Sequence, residues 1–265
     1  MKPVDRNIVI KSARELELMR VAGRVNALTL KVVREMIRPG ITTAELDAAA
    51  EEYIRKQGAT PVFKGYPGPY PFPATLCISI NEEMVHGIPG KRKLKEGDIV
   101  SVDCGTSLEG YIGDSAFTVG VGQISARARR LLEVTEQALF IGIAQMLPGN
   151  RVGDVANAIQ RHVEKHGYHV PREYTGHGVG REMHEGPNIP NFGVKGKGLP
   201  LRSGITVALE PMVLVGTHRT RVMPDKWTVV SADGSLTAHF EHTVAVMDGE
   251  PLILTALDEN TGLKK

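Results

Sequence analysis

Four acidic residues stand where a strand-forming sequence ordinarily places apolar side chains. Asp103 ends the run Ile99-Val100-Ser101-Val102, and Asp114 precedes Ala116-Phe117-Thr118-Val119. Between them the chain reads as the end of one strand, a turn and a returning strand. Such a hairpin brings both carboxylates to one face. An unpaired buried acid is costly. A shared cation explains the placement and keeps both acids ionised. The pattern recurs later. Glu210 follows Thr206-Val207-Ala208-Leu209, and Glu241 precedes His242-Thr243-Val244-Ala245-Val246. One acid of this kind is ordinary at a solvent-facing turn. Two matched pairs point to four carboxylates around one centre. Two divalent ions ~3.5–4 Å apart satisfy such a set most economically. Oxygen and nitrogen donors suit Mn²⁺, Fe²⁺, Co²⁺ or Zn²⁺ better than soft copper or iron–sulfur centres.

Three histidines sit in distinctive settings. His177 lies in Gly176-His177-Gly178-Val179-Gly180, where glycines permit close backbone approach but the full phosphate-cradling patterns are absent. His184 lies in Met183-His184-Glu185-Gly186-Pro187, and His86 in Val85-His86-Gly87-Ile88-Pro89. Spacing alone leaves each of them open between a structural, hydrogen-bonded role and a functional one. His162, His166, His169 and His218 have weaker local settings. Strand alternation turns Cys104 away from the face of its neighbour Asp103. Cys77 is a candidate for a pocket wall.

The elements that hold these residues show an internal repeat. Ile37-Arg38-Pro39-Gly40 ends one helical pattern before a second that runs to Gly58, and Leu147-Pro148-Gly149 does the same before a run to Gly167. Ser12 with Glu15 and Thr42 with Glu45 are capping-box pairs that predict helix starts. The first helix is expected to reach about Met36, and Ala128–Met146 is its expected counterpart. Leu94–Asp103 resembles Leu201–Glu210, each with a glycine before a β-branched run and a terminal acid. This predicts one domain over 1–265, made of two similar α/β halves at about 12–122 and 125–249. Gln123-Ile124-Ser125 links them, and a site is expected where the halves meet. Residues 61–73 are proline-rich and read as a loop. Residues 257–265 read as a polar, fraying end.

Composition narrows the function classes. With 265 residues, 42% hydrophobic and 23% charged, the chain suits a globular fold and not a fibrous or disordered one. Two cysteines supply neither a disulfide framework nor a zinc ribbon. A net charge of +2 carries no nucleic-acid signal, and Arg127, Arg129 and Arg130 read as a solvated helix face. Ile8-Val9-Ile10 is too short for a signal-peptide core, and no window suits a membrane span. A cytoplasmic protein is expected.

Taken together, the motifs closely resemble the bacterial type I methionine aminopeptidases of the M24, or pita-bread, family. The matching words are Cys77-Ile78-Ser79-Ile80-Asn81-Glu82, His86-Gly87-Ile88-Pro89, Asp98–Asp103 and Gly113-Asp114-Ser115. They continue with Gly176–Gly180, Met183-His184-Glu185, Leu209-Glu210-Pro211 and Glu241-His242-Thr243. The resemblance covers about residues 10–249. It implies an α/β (α+β) fold with a central antiparallel β-sheet covered by helices and two pseudo-symmetric halves. It also implies removal of an N-terminal methionine ahead of a small second residue, by attack of metal-activated water on the first peptide bond. The implied metal ligands are Asp103, Asp114, His177, Glu210 and Glu241, with Asp114 and Glu241 bridging two ions of Co, Mn, Fe or Zn. Glu210 is the implied handler of the water's proton. His86 and His184 are the implied non-ligand catalytic histidines, touching substrate near the scissile bond. Trp227, Tyr66, Tyr70, Phe72 and Cys77 are the implied walls of the methionine pocket.

The chain departs from the family pattern in Gly65–Pro73, which is longer and richer in proline. Either Tyr70 or Phe72 then takes the place of the family's second pocket aromatic. Implied partners are nascent polypeptide N-termini, with transient ribosome association, no membrane and a monomeric state. Two rivals share the fold. X-Pro dipeptidases and aminopeptidase P keep the five ligands but carry an N-terminal domain, for which the first matched helix near residue 12 is expected to leave no room. Catalytically silent relatives usually lose metal ligands, and all five positions are present here.

Overall fold

A computed structural model describes residues 8–257. The expected fraying of the last residues, from 258 on, lies outside the described part. Helix α1 spans Ala13–Met36 and begins as the capping box requires: Glu15 N–H donates to Ser12 Oγ at 3.4 Å, and Ser12 N–H donates to Glu15 Oε2 at 2.9 Å. Helix α2, Thr43–Lys56, starts the same way at Thr42 and Glu45. Gly40, at φ +90°, turns the chain between them. Strands β1 (Thr60–Pro61), β2 (Leu76–Ile80), β3 (Glu83–Val85), β4 (Ile99–Leu108) and β5 (Tyr111–Gly120) follow.

Helix α3 spans Ala126–Ile143. It starts earlier than the expected Ala128 because Ser125 caps it, accepting from Ala128 N–H at 3.1 Å. It stops short of Met146. Helix α4, Val152–Lys165, follows Gly149 at φ +94°. The chain then forms β6 (Thr175–Gly178), β7 (Glu185–Pro190), β8 (Thr206–Leu209) and β9 (Met212–Leu214). It ends with β10 (Thr220–Val222), β11 (Val229–Ser231), β12 (Thr237–His239), β13 (Glu241–Ala245) and β14 (Leu252–Ile253).

Among the described residues the central sheet has nine strands, in the order β1-β4-β5-β13-β8-β6-β7, with β2 on β4 and β14 on β13. Its ladders are antiparallel. This is the mixed α/β architecture with a central antiparallel sheet and flanking helices. Alternation along β4 and β5 divides the two faces. Val100, Val102 and Cys104 join Val25, Leu30 and Val33 of α1 in the main buried cluster. Asp103 and Asp114 therefore point to the opposite face. No described helix is long and apolar enough to cross a membrane.

The contact between α1 and the β4–β5 hairpin is unusually close. A Cβ on Gly113 would come within 2.5 Å of Gly23 Cα, and one on Gly23 would strike the Leu254 carbonyl. This approach lets Asn26, fully buried on α1, reach the hairpin backbone. Its Nδ2 donates to Cys104 O and, at 3.2 Å, to Gly113 O, while Ser115 Oγ donates to its Oδ1. The three partners flank Asp103 and Asp114. The clamp thus fixes from behind the residues that face the other way. Asn26→Ala should lower stability by about 2–3 kcal/mol, because it strands buried polar groups without removing much volume. A urea midpoint shifted by that amount at unchanged slope is the expected result. A midpoint within experimental error of the parent would show that the clamp contributes nothing.

Candidate active site

Register brings the four acids together. On the hairpin, Gly105 pairs with Asp114 and Asp103 with Ala116, so the two aspartates are diagonal neighbours on one face. Glu241 lies opposite Ala116 on β13, which places it beside them. His242 pairs with Leu209, so Glu210 leaves the end of β8 next to Glu241. His177 pairs with Ala208 from β6 and reaches the same face. The second acid pair is not a simple hairpin. The chain between Glu210 and Glu241 makes an excursion through β9–β12 before β13 returns. Thr243 ties β13 to β5 at this point: its Oγ1 donates to Asp114 O at 2.8 Å and accepts from Asp114 N–H at 3.0 Å.

His177 Nε2 stands 3.7 Å from Asp114 Oδ2 and 3.6 Å from Glu210 Oε1. His177 Nδ1 lies 3.0 Å from Gly178 O. A bond donated there leaves the Nε2 lone pair for the centre. Two groups of candidate ligand atoms result, Asp114–His177–Glu241 and Asp103–His239–Glu241, each with its atoms within 4.8 Å of one another. Glu241 belongs to both. His239 did not stand out in the sequence. It lies off the repeat, two positions before Glu241, and only folding turns it inward.

The electrostatics call for cations. Loss of water raises Asp103 well above the carboxylate range, and the neighbouring Asp114 charge adds to this. Asp114 is pushed to about 7 by burial. Burial and the same aspartates raise Glu210 and Glu241. Burial holds the imidazoles neutral: His177 and His239 fall to about 3, and His86 to about 4, with neighbouring histidines adding to the effect. Asp103 Oδ1, Asp114 Oδ1 and His239 Nε2 are buried without any hydrogen-bond partner. Raised acids, neutral imidazoles and orphaned donor atoms together fit a dinuclear divalent metal centre.

The same cavity, of about 160 Å³, has an apolar half. That is close to the ~150 Å³ that admits a benzene-sized guest. Tyr66, Phe72, Cys77, His86, His184 and Trp227 all line it. Phe63 and Met183 line it as well; neither stands out as a wall residue in the sequence, where Phe63 reads as part of the 61–73 loop. Tyr70 is not in the wall. Phe72 N–H donates to Tyr66 O at 3.0 Å, which closes the proline-rich excursion between them. Phe72 is thereby turned in, 3% exposed, with its ring 5.2 Å from Trp227. Tyr70 is turned out, 39% exposed, and its hydroxyl donates to Asp225 O at 2.8 Å.

The two outer histidines are held firmly. His86 has φ +60°, an uncommon backbone state for this residue. Gly87 follows because a Cβ there would strike the Ile78 carbonyl. His184 sits 4.2 Å, ring to ring, from His177, and its Nδ1 is 2.6 Å from Tyr66 Oη. The turn that carries it is pinned by Glu185, whose Oε1 accepts from Arg181 N–H at 2.8 Å while Oε2 pairs with buried Lys11 at 2.5 Å.

These shifts fix a pH dependence for the metal-free protein. Histidines lowered in the fold favour folding as pH rises, but only up to their unfolded value near 6.5. Acids raised in the fold hold extra protons when folded, so their contribution is lost as pH rises through about 7. Between about pH 6.5 and 8 the second effect acts alone. The melting temperature of chelator-treated protein should therefore fall across that window. It should stay level with Mn²⁺ or Co²⁺ present, because cations replace the protons. Parallel curves with and without metal would contradict this.

Comparison with known proteins agrees with this site. Residues 17–248 match the model of metallopeptidase family M24. A methionine aminopeptidase of Clostridium perfringens is 50% identical over 250 residues, covering 94% of this chain and 99% of the relative. The crystal structure of the methionine aminopeptidase from Rickettsia prowazekii superposes with a TM-score of 0.92 at 39% identity, covering 94% of this chain and all of that one. A prolidase from Pyrococcus furiosus shares the fold alone, with a TM-score of 0.75 at 21% identity over 95% of this chain and 66% of its own. The chain belongs to metallopeptidase family M24 and, within it, to the methionine aminopeptidases.

Proposed function

We propose that this chain removes the first methionine from peptides and nascent proteins, with a preference for a small second residue. The observation that carries the reading is the pair of Asp/His/Glu groups joined at Glu241 at the foot of an apolar cavity. When bound, two divalent ions would activate water and polarise the scissile carbonyl. Asp103, Asp114, His177, Glu210 and Glu241 are the residues assigned to hold them. Phe63, Tyr66, Phe72, Cys77, Met183 and Trp227 receive the methionine side chain, whose thioether suits an aromatic-rich wall. Tyr70, on the outer side, is left out of that wall.

Glu210 is assigned the proton of the attacking water, which it passes on to the leaving amine. As a residue assigned to hold an ion, it stands within direct or water-mediated reach of that water. His184 stabilises the negative charge that develops on the carbonyl oxygen, which requires a proton on Nε2. That tautomer in turn requires Tyr66 Oη to donate to His184 Nδ1 across the 2.6 Å contact. His86 orients the scissile peptide nitrogen. The whole chain acts as one catalytic domain built from half-repeats at about 12–122 and 125–249. A cytoplasmic monomer that meets chains as they leave the ribosome completes the proposal.

Two outcomes test it. Metal-depleted protein should release methionine from Met-Ala-Ser once Mn²⁺, Co²⁺, Fe²⁺ or Zn²⁺ is restored, and should leave Leu-Ala-Ser and internal methionine intact. Folded, metal-bound protein that releases nothing would refute the activity. Tyr66→Phe should reduce kcat by about two- to tenfold with KM little changed, the worth of one neutral hydrogen bond. An unchanged kcat would remove Tyr66 from the tautomer argument.

A further inference from the structure

His239 lies outside the five assigned ligands, yet its surroundings repeat those of His177. The residue is 1% exposed and lies among Asp103, Glu210 and Glu241. Its Nε2 stands 3.4 Å from Glu241 Oε2 and 3.8 Å from Glu210 Oε2. Neither approach is a hydrogen bond, so the atom is directed at neither oxygen. His177 Nε2 keeps nearly the same separations from its own two carboxylates, 3.6 and 3.7 Å. Two donors on one tetrahedral ion with bonds of about 2.0–2.1 Å are themselves about 3.4 Å apart. Nitrogens set at such spacing among carboxylates are placed as ligands are, not as hydrogen-bond donors are.

The backbone of His239 is also fixed. Its N–H donates to Thr118 Oγ1 at 2.9 Å, and Thr118 Oγ1 donates to its carbonyl at 2.7 Å. Ser101 Oγ lies 2.8 Å from the same hydroxyl. Ser101 and Thr118 pair across β4 and β5, the strands that carry Asp103 and Asp114. The clasp sets the imidazole against the hairpin that supplies the aspartates. The ligand atoms of Asp103, His239 and Glu241 then form one compact group.

We propose that His239 supplies a second imidazole to the metal centre, through Nε2, to the ion held by Asp103 and Glu241. The inference rests on the two-ion reading above. It gives each ion one nitrogen donor rather than leaving one ion with oxygen donors alone. A site with added imidazole favours Co²⁺, Fe²⁺ or Zn²⁺ over Mn²⁺ on the Asp103 side.

The test uses the full chain loaded with Co²⁺. X-ray absorption should count two imidazoles per wild-type chain and one in His239→Gln. Calorimetric titration of the metal-free proteins should show one of the two Co²⁺ steps weakened at least about tenfold in the variant, the other being retained within about threefold. Thermal melting confirms that the variant is folded; if it is not, the imidazole count on the wild type decides alone. A wild type that binds two ions with only one imidazole between them overturns the proposal and leaves the two-ion reading standing. A wild type that binds a single ion overturns both.

Discussion

Four carboxylates share one small cavity from which water is largely excluded, and the structure is organised around that crowding. Asp103, Asp114, Glu210 and Glu241 each lose hydration, and the two aspartates further raise the proton affinity of both glutamates. Such a cluster survives in a folded protein only if protons or cations neutralise it. Held neutral by burial, the histidines offer lone pairs instead of positive charge, so they cannot balance the acids themselves. Protons do so in the metal-free protein, and the neutral imidazoles and orphaned carboxylate oxygens suit a pair of divalent ions in their place.

The frame resists the repulsion from behind. Asn26 and Thr243 hold the backbones of the acid-bearing strands, using side chains that never enter the cavity. The close passage of Gly23 against Gly113 makes the Asn26 clamp possible. The acids come from two distant stretches of chain, yet all four sit on or beside the neighbouring strands β4, β5, β13 and β8 of one sheet. Hydrogen-bonded ladders fix such positions more tightly than loops would, as a reaction that depends on placing water and carbonyl requires. The apolar half of the cavity is built differently. Apart from Cys77 on β2, it is assembled from loop residues whose directions depend on how each excursion closes.

That contrast explains what could be read in advance. The Asp103–Asp114 hairpin was legible because strand alternation is a local rule, and both acids interrupt otherwise β-branched runs. The helix starts at Ser12 and Thr42 were legible because a capping box is written within four residues. Glu210 was legible through the likeness of Leu201–Glu210 to Leu94–Asp103, and Glu241 through the strand-like run it precedes, although the long excursion between them was not foreseen. His239 shares a face with Glu241 by strand alternation, but it did not stand out because it ends β12 one residue before β13 begins and lies outside the stretches that match between the two halves. The choice between Tyr70 and Phe72 stayed open in the sequence. The cavity wall holds Phe72 and not Tyr70, and the contacts behind this, Phe72 N–H to Tyr66 O and the Tyr70 hydroxyl to Asp225 O, are announced by no pattern of residue types. Asn26 resembled any polar residue on a helix until the glycine contact gave it reach.

The central claim is that cations replace protons on a buried carboxylate cluster. Calorimetric titration of the metal-free protein with Mn²⁺ or Co²⁺ near pH 6.5, repeated in two buffers of different ionisation enthalpy, tests it most directly. The account predicts two ions bound per chain with net release of protons, because acids raised by burial must ionise as the ions enter. Binding without proton release, or no binding, would contradict it.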